Sequence, residues 1–352
     1  MLDNRGSTLT TPTRPLTAHE DPEAEGPSRA LSGRVAILTT TLATGLSLYA
    51  LYWVIGIIQP QIYRVSFLLL TLVLTFLIFP AHSRWRSRVM WLDWVLVAST
   101  LVALIWPIID FDQFVYRAAT PLAIDLVLGA LTAILVLEAT RRTVGPILPV
   151  TAISFLLYGY YGPSLELIGL ELFAHRGYDI DRLIGTLYMT LEGIFGVPLN
   201  VAATFIVLFT IFGSILTHSG AGQFFINWTM SAFGRSRNGA GPGRTVTLSG
   251  FLLGTVSGSG VATTVTLGAV AWPLLRRAGF TPEVGGGILS ASGIGAILAP
   301  PTMGAAAFLI AEFLQITYLQ VIIMAIVPAV LYYLSIVLMI EARSVALLYS
   351  RL

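Results

Sequence analysis

Hydroxyl-bearing side chains gather near the middle of one long apolar segment, residues 245–275. Hydroxyl oxygens and the carbonyl oxygens of unwound backbone are the ligands from which membrane proteins build sites for small cations. Glycine and serine are poor helix formers, so the same run also predicts a break in the helix. The residues that we assign to this candidate site are Ser257, Gly258, Ser259 and Thr263, with Thr264 one position further on.

A second run of small and hydroxyl-bearing residues interrupts the next apolar segment, residues 283–314. Proline lacks a backbone donor and disfavours helix at the residue before it, so Ala299 and Pro300 should be non-helical. The segment should therefore form two half-helices, 283–297 and 303–314. Two breaks near the same membrane depth favour a binding site over packing alone, and the second break adds Ser290, Ser292, Gly293, Pro300 and Thr302 to the candidate site.

Glycines on one face of the first segment have a simpler interpretation. Gly250, Gly254 and Gly258 recur at every fourth position, and small residues at that spacing let helix backbones approach closely. For the glycines alone, helix packing is the favoured interpretation. For the neighbouring hydroxyls, ligand binding is favoured.

Composition places the chain in a lipid bilayer. Of its 352 residues, 55% are hydrophobic and 11% are charged, and the mean hydropathy is +0.81. Soluble domains carry about 25% charged residues, so the predicted fold class is an all-α polytopic membrane protein. A net charge of +2 argues against nucleic acid as a partner.

About eight transmembrane helices and one re-entrant hairpin are expected. At ~1.5 Å per residue, a straight helix over 245–275 would run roughly 46 Å, well beyond a ~30 Å hydrocarbon core. This segment should therefore enter and leave the membrane on the same side. The predicted spans are 34–57, 62–79, 93–109, 120–138, 146–162, 198–217, the broken segment 283–314 and 319–341, with 183–196 lying outside them.

Arginine-rich loops predict the orientation. If the spans alternate and 245–275 is a hairpin, the arginine clusters fall on one side, which the positive-inside rule places in the cytoplasm together with the amino terminus. Residues 1–32 are rich in Pro, Thr, Ser and Glu and should form a disordered cytoplasmic tail. The clusters are Arg29 and Arg34; Arg84, Arg86 and Arg88; Arg141 and Arg142; Arg235, Arg237 and Arg244; and Arg276 and Arg277.

Ionisable residues beside the spans form no catalytic arrangement. Glu138 precedes Arg141 and Arg142 by one helical turn, which predicts a local ion pair. Glu192 and Glu312 are expected in solvated or interfacial positions. The histidines lack metal-ligand spacing, and neither a nucleophile elbow nor a phosphate-binding loop occurs, so a membrane enzyme is the last of the function classes that we consider.

Several stretches resemble the permease of tripartite ATP-independent periplasmic (TRAP) transporters, in the form that fuses both membrane subunits. The similarity runs from about residue 120 to residue 320, and it is greatest to the branch served by TAXI-type solute receptors. The stretches that carry it are Arg176-Gly-Tyr, Glu192-Gly-Ile-Phe-Gly-Val-Pro198, Ser219-Gly-Ala-Gly-Gln-Phe-Phe225, Gly254-Thr-Val-Ser-Gly-Ser259 and Pro300-Pro-Thr-Met-Gly-Ala-Ala-Ala-Phe-Leu-Ile-Ala-Glu-Phe313.

The resemblance implies a permease of the bacterial inner membrane that works as a secondary transporter. Its implied coupling ion is sodium, and its implied task is carboxylate uptake by symport, with the anion delivered by a periplasmic receptor. It also implies an elevator mechanism, in which the hairpin and broken helices move against a scaffold. Residues 33–143 would then correspond to the small subunit, and 144–352 to the first half of the large subunit.

Two features depart from the family pattern. At the hairpin tip the family has Ser-Gly-Ser-Ala-x-Ala-Asn, and this chain has Gly260 in place of the alanine at the fourth position and Thr263 in place of the final asparagine. At the second break the family has Gly-Gly-Gln-Ile-x-Pro-Pro, and this chain has Ile294-Gly-Ala-Ile-Leu-Ala-Pro-Pro301. The family's large subunit is also an inverted repeat with two hairpins. The single predicted hairpin, 245–275, corresponds to one of these two, so we expect a separate second-half permease chain. The alternative is that the chain is a truncated, non-transporting membrane scaffold or remnant.

Overall fold

The computed structural model describes residues 28–349 apart from 30, 86–87, 168, 170 and 235–239. Within these residues every regular element is a helix, which confirms the all-α fold class. The first part contains α1 (Gly33–Ile55), α2 (Pro60–Ile78), α3 (Trp91–Ile109), α4 (Phe111–Tyr116), α5 (Ala123–Thr143), α6 (Ile147–Tyr161), α7 (Ser164–Leu167) and α8 (Ile180–Met189).

The second part begins with α9 (Val197–Val201), which continues through a π-helical segment (Ala202–Ile206) into α10 (Val207–His218). Short 3₁₀ turns occur at Ser83–Trp85, Arg117–Ala119, Glu171–Phe173 and Gly295–Ile297. The remaining helices are α11 (Ala221–Phe233), α12 (Gly241–Ser257), α13 (Gly260–Arg277), α14 (Pro282–Ile294), α15 (Ala305–Phe313) and α16 (Tyr318–Tyr349).

Six helices among the described residues are long and apolar enough to cross a membrane, so the chain is a multi-pass membrane protein. Two of the eight predicted spans differ from a simple crossing helix. The span predicted at 146–162 is the shorter apolar helix α6. The span predicted at 283–314 is divided into α14 and α15.

A buried ionic network joins one end of the first helices. The Asp93 carboxylate receives a hydrogen bond from Arg29 Nη2 at 2.6 Å and another from Arg142 Nη1 at 2.7 Å. All three side chains are at most 2% exposed. Arg142 also contacts Glu138, which pairs with Arg141 as expected. The network therefore brings the start of α3 to the end of α5.

Arg29 connects the same network to α2. Its guanidinium donates to the carbonyls of Phe76 and Leu77, each at 3.1 Å, and its backbone N–H donates to the carbonyl of Ile78. Most of the predicted tail, 1–32, lies outside the described residues. Arg29, although within that range, is buried and belongs to the folded part of the chain.

A second polar cluster lies at the opposite end of α3 and α5. Arg117 Nε donates to the Asp125 carboxylate at 3.1 Å, and the Trp106 indole N–H donates to the other Asp125 oxygen at 2.8 Å. Asp110 lies 3.6 Å from Arg117 and is half exposed. Ionic contacts thus hold α3 and α5 together at both ends, with an apolar core between them.

Helix α8 packs along α5 and corresponds to the segment predicted to lie outside the spans. It ends at Met189, and Glu192 lies in the following turn with an exposed side chain. Tyr188 is buried and its hydroxyl donates to the carbonyl of Ala103. Gly129 of α5 allows α8 to pack this closely, because a Cβ at position 129 would lie 2.7 Å from Cγ2 of Ile184.

Tyr63 and Arg64, at the start of α2, connect the first helices to residues 195–203. The Tyr63 ring is fully buried and stacks on Trp53, and its hydroxyl donates to the carbonyl of Ala203 at 2.6 Å. Ala203 lies in the π-helical segment, a wider turn whose backbone bonding differs from that of an α-helix. Arg64 donates to the Phe195 carbonyl at 2.9 Å and to Asn200 Oδ1 at 3.2 Å.

The predicted hairpin is present as α12 and α13, which pack against each other with only Gly258 and Ser259 between them. Its first arm begins at Gly241, earlier than residue 245, so it is a longer helix than the sequence alone indicates. The open end of the hairpin meets α16: Arg244 pairs with Glu341, and Gly243 contacts Ile340. The start of α12, the end of α13 and the later part of α16 therefore share one end of the molecule.

Single cysteines can test whether this hairpin re-enters the membrane, since the natural chain has none. Ala232 near the end of α11 and Ala278 after α13 are both exposed. We expect Ala232→Cys and Ala278→Cys to react with an impermeant thiol reagent from the same side of the membrane, and Ser164→Cys beyond α6 to react from the other. Labelling of position 278 from the side of position 164 would contradict the re-entrant arrangement.

Candidate functional site

The tip of the hairpin is held by hydrogen bonds among its own hydroxyls. Ser257 Oγ lies 2.6 Å from Thr263 Oγ1, across the turn from the end of α12 to the first turn of α13. Ser259 Oγ accepts the backbone N–H of Ala262 and so caps the start of α13. Gly258 has φ +61°, a left-handed conformation that allows the chain to reverse within two residues.

Glycines of α12 form the contact with the second broken segment. A Cβ on Gly250 would lie 2.7 Å from Cβ of Ser292, and one on Gly254 would lie 2.7 Å from Cα of Ala296. A Cβ on Gly258 would overlap the carbonyl oxygen of Met303. The packing interpretation of these glycines is therefore confirmed, and the contact runs from Gly250 to the tip of the hairpin.

Thr302 joins the two breaks directly. Its hydroxyl lies 3.1 Å from the carbonyl oxygens of both Gly254 and Thr255, in the last turn of α12, and its side chain is buried. Tyr318, at the start of α16, donates its hydroxyl to the carbonyls of Pro301 and Thr302, at 2.7 and 2.9 Å. Backbone groups that the second break frees from helical bonding are thus satisfied by side chains.

A cavity of about 610 Å³ lies beside this junction. Residues from both broken segments line it, and none of them carries a charge. Such a volume is in the range of small-molecule sites. The lining includes Gly258, Ser259, Gly260, Thr264 and Ser290, together with Ile294, Ile297 and Gly304.

The structure brings most of the predicted site residues together. Ser257, Gly258, Ser259 and Thr263 form the tip, and Thr302 contacts the end of the same arm. Ser290 faces the cavity, and Gly293 lies against Thr264 where α13 and α14 cross. Pro300 lies in the non-helical stretch between the 3₁₀ turn and α15, as predicted together with Ala299.

Ser292 is separated from this group. It lies two positions after Ser290, on the face of α14 that packs against Gly250 of α12. Its side chain is fully buried and its hydroxyl has no hydrogen-bond partner among the described residues. Ser292 therefore belongs to the glycine contact rather than to the cavity.

The tip residues fit a small hard cation in the type of donor that they offer. Thr263 Oγ1 is bonded to Ser257 Oγ, which also accepts the backbone N–H of Ser259 at 3.3 Å, so hydroxyl and main-chain groups of the tip lie within hydrogen-bond distance of one another. The turn at 258–259 also places backbone carbonyls outside regular helix. Neutral hydroxyl and carbonyl oxygens are ligands that sodium accepts, whereas transition metals prefer imidazole or thiolate.

Three tyrosines of α16 support the site, and the sequence analysis missed them. Besides Tyr318, Tyr332 donates to the carbonyl of Ala291 at 2.8 Å, and the buried Tyr333 hydroxyl lies 3.4 Å from the carbonyl of Ser292. A tyrosine hydroxyl within an apolar span needs a hydrogen-bond partner. Their positions could therefore have indicated that α16 packs against the broken segment.

Comparisons with known proteins bear on the same residues. The sequence model of the family described as Tripartite ATP-independent periplasmic transporter, DctM component, matches residues 131–347, which is more than half of the chain. The match begins somewhat later than the resemblance noted from about residue 120, and it continues past the end of that resemblance at about residue 320. No solved structure matches the chain.

Curated relatives match over a shorter stretch. The C4-dicarboxylate TRAP transporter large permease protein DctM of Rhodobacter capsulatus is 34% identical over 98 residues, which are 28% of this chain and 22% of the relative. Two putative TRAP transporter large permease proteins of Haemophilus influenzae are 31% identical over 98 residues and 29% identical over 114, and these stretches cover 28% and 32% of this chain and 24% and 26% of the relatives. The matched stretch thus spans about a quarter of each relative. On the extent of the family match, this chain belongs to the DctM component family of tripartite ATP-independent periplasmic transporters.

Proposed function

We propose that the chain is the membrane permease component of a secondary TRAP transporter that couples uptake of an organic acid to sodium. The observation that carries this proposal is the junction between the hairpin tip and the second break, where Thr302 bonds to the last turn of α12 beside a 610 Å³ cavity. Irregular backbone at membrane depth is tolerated where it is buried in protein or lines a cavity. Membrane transporters place substrate and ion sites at such breaks.

The absence of charge from the cavity lining supports coupled binding. Moving a cation alone from water into apolar surroundings costs a large desolvation free energy, and the same holds for an anion. If sodium binds at the tip hydroxyls and a carboxylate in the adjacent cavity, each charge offsets the other. A neutral lining therefore favours binding of the pair over binding of either ion alone.

The remaining parts of the proposal rest on the chain's resemblance to TRAP permeases. Residues 33–143 act as the small-subunit-like region, and 144–352 as the first half of the large subunit. The permease lies in the bacterial inner membrane with its amino terminus in the cytoplasm, receives its substrate from a periplasmic TAXI-type receptor, and works with a second permease half that carries its own hairpin. The carboxylate class is also supported by the Rhodobacter relative, which is named as a C4-dicarboxylate TRAP transporter permease.

Removal of the tip hydroxyls should weaken sodium binding. Thr263 is buried, so Thr263→Val removes one oxygen with little change in shape, and Ser259→Ala removes a second oxygen. A lost ligand leaves an under-coordinated ion and should cost about 1–3 kcal/mol. The half-saturating sodium concentration should therefore rise about tenfold or more. It can be measured for the chain alone as sodium-dependent thermal stabilisation, and for the assembled system as uptake into proteoliposomes.

Thr210→Val is the matched control. Its hydroxyl donates to the carbonyl of Ile206, one turn earlier, and lies outside the hairpin tip, so sodium dependence should stay unchanged. Potassium at equal ionic strength separates specific binding from a salt effect. If the wild type shows no sodium-dependent stabilisation and no uptake with its partners, the non-transporting scaffold becomes the better interpretation. If sodium stabilises the wild type but Thr263→Val and Ser259→Ala leave its sodium dependence unchanged, the cation site lies elsewhere.

A further inference from the structure

A second cavity, of about 420 Å³, lies at the end of α6 that is remote from Arg141 and Arg142. Its lining is unlike that of the cavity beside the hairpin, because it combines positive charge with aromatic rings. The residues that line it include Arg176, Arg182, Asp179, Tyr160, Tyr161 and Tyr178.

The arginine-bearing loop is fixed to the end of α6. The backbone N–H of Tyr178 donates to the carbonyl of Gly159 at 3.0 Å, and the Tyr158 hydroxyl donates to the carbonyl of Phe173 at 2.8 Å. His175 accepts the N–H of Gly177 through Nδ1 and contacts the Tyr158 carbonyl through Nε2. Arg176 thus lies between two residues with fixed backbones, and the cavity is part of the folded structure.

Neither arginine is neutralised within the part of the chain that the structure describes. Arg176 and Arg182 are exposed and form no ion pair there, although Asp179, also exposed, lines the same cavity. Arg182 instead lies over the ring of Tyr178, with its guanidinium carbon 5.4 Å from the ring centroid. Asp179 precedes α8 and makes no side-chain hydrogen bond that caps it, and Asp181 lies in the first turn of the same helix.

We propose that this cavity is a binding site for a small organic carboxylate, separate from the site beside the hairpin. Two guanidinium groups offer forked donors that match a carboxylate, and the tyrosine rings offer an apolar wall for the body of the ligand. Asp179 reduces the local charge from +2 to +1, which suits a single carboxylate better than a phosphate dianion. This inference does not depend on the proposed transport activity.

Binding can be measured with the full chain in nanodiscs of zwitterionic lipid. Ser164 lines the cavity and is exposed, so Ser164→Cys carries an environment-sensitive fluorophore as the only cysteine. Benzoate is the probe, and benzyl alcohol is the uncharged control. Benzoate should change the fluorescence saturably and benzyl alcohol should not.

Charge variants test the assignment to these residues. Arg176→Gln and Arg182→Gln should each weaken benzoate binding about tenfold, equivalent to about 1.4 kcal/mol. Asp179→Asn should strengthen it, because the cavity then keeps both positive charges. Arg88→Gln is the matched control, since Arg88 is exposed and lies outside this cavity.

Several outcomes would overturn the proposal. These are benzoate binding that survives both arginine substitutions, binding that Arg88→Gln reduces equally, and no saturable response to benzoate in the wild type. A response only to anionic lipid in the nanodisc would assign the arginines and tyrosines to the membrane interface instead. A decrease in affinity on Asp179→Asn would also contradict the charge argument.

Discussion

Asp93→Asn is expected to lower the free energy of unfolding by about 3–5 kcal/mol, because it leaves two buried guanidinium groups without their shared carboxylate. Arg29 and Arg142 contact opposite oxygens of this carboxylate, and all three side chains are almost completely excluded from solvent. An asparagine keeps the size but offers one acceptor and no charge. Unfolding of the purified protein in detergent, followed by circular dichroism, measures the difference.

Asp110→Asn is the control for the loss of an aspartate charge. Asp110 also pairs with an arginine, but at 3.6 Å and with its side chain 48% exposed. Exposed pairs contribute about 0–1 kcal/mol, so this substitution should have little effect. Equal destabilisation by the two substitutions would show that burial does not determine how much the Asp93 network contributes to the free energy of unfolding.

Gly254→Ala should destabilise the junction between hairpin and break, and should abolish sodium-dependent uptake. The new methyl group would lie 2.7 Å from Cα of Ala296, so backbone and not a flexible side chain would have to move. Overpacking of this kind costs about 1–3 kcal/mol. The displacement would also separate Thr302 from the carbonyls that it contacts. Thermal unfolding and uptake by the reconstituted system report the two effects.

Gly268→Ala provides the matched comparison within the same hairpin. Gly268 also lies inside a helix, but a Cβ there meets no atom within 4 Å. Alanine in a helix interior is favoured over glycine by roughly 0.5–1 kcal/mol, so this variant should be as stable as the wild type or slightly more stable. Similar losses in both variants would mean that helix flexibility, and not the close contact with Ala296, explains the result.

Local sequence features predicted the breaks in the helices well. The Ser-Gly-Ser run and the paired prolines act on the backbone of their own segment, so residues 258–259 and 299–304 could be identified without knowledge of the fold. The glycine spacing of α12 also predicted a close contact, although not its partner. The start of α12 was placed too late because Gly241-Pro-Gly-Arg244 is not apolar, yet proline fits the first turn of a helix.

Contacts between distant segments were beyond the sequence analysis. Glu138 was assigned to a local ion pair, which is correct, but the same Arg142 also reaches Asp93, which is 49 positions away. Ser290 and Ser292 appeared equivalent by type, and only the packing of α14 against α12 shows that they face different surroundings. Such assignments depend on which helices are neighbours, and periodicity within one segment does not contain that information.

The three hydrogen bonds made by two adjacent residues of α2 determine which parts of the molecule can move as one body. Tyr63 and Arg64 donate to main-chain and amide oxygens of residues 195–203, and in lipid no water is present to replace bonds of this kind. The contact of α10 and the π-helical segment with α15 and α16 is different, since it is made by aromatic rings. Phe205 stacks on Phe308 and Tyr318, and Phe209 meets the same two rings at tilted angles. Rings can slide over one another without leaving a donor unpaired. A sliding boundary in this protein is therefore expected at that aromatic surface, with the first helices and residues 195–203 remaining fixed to each other on one side of it.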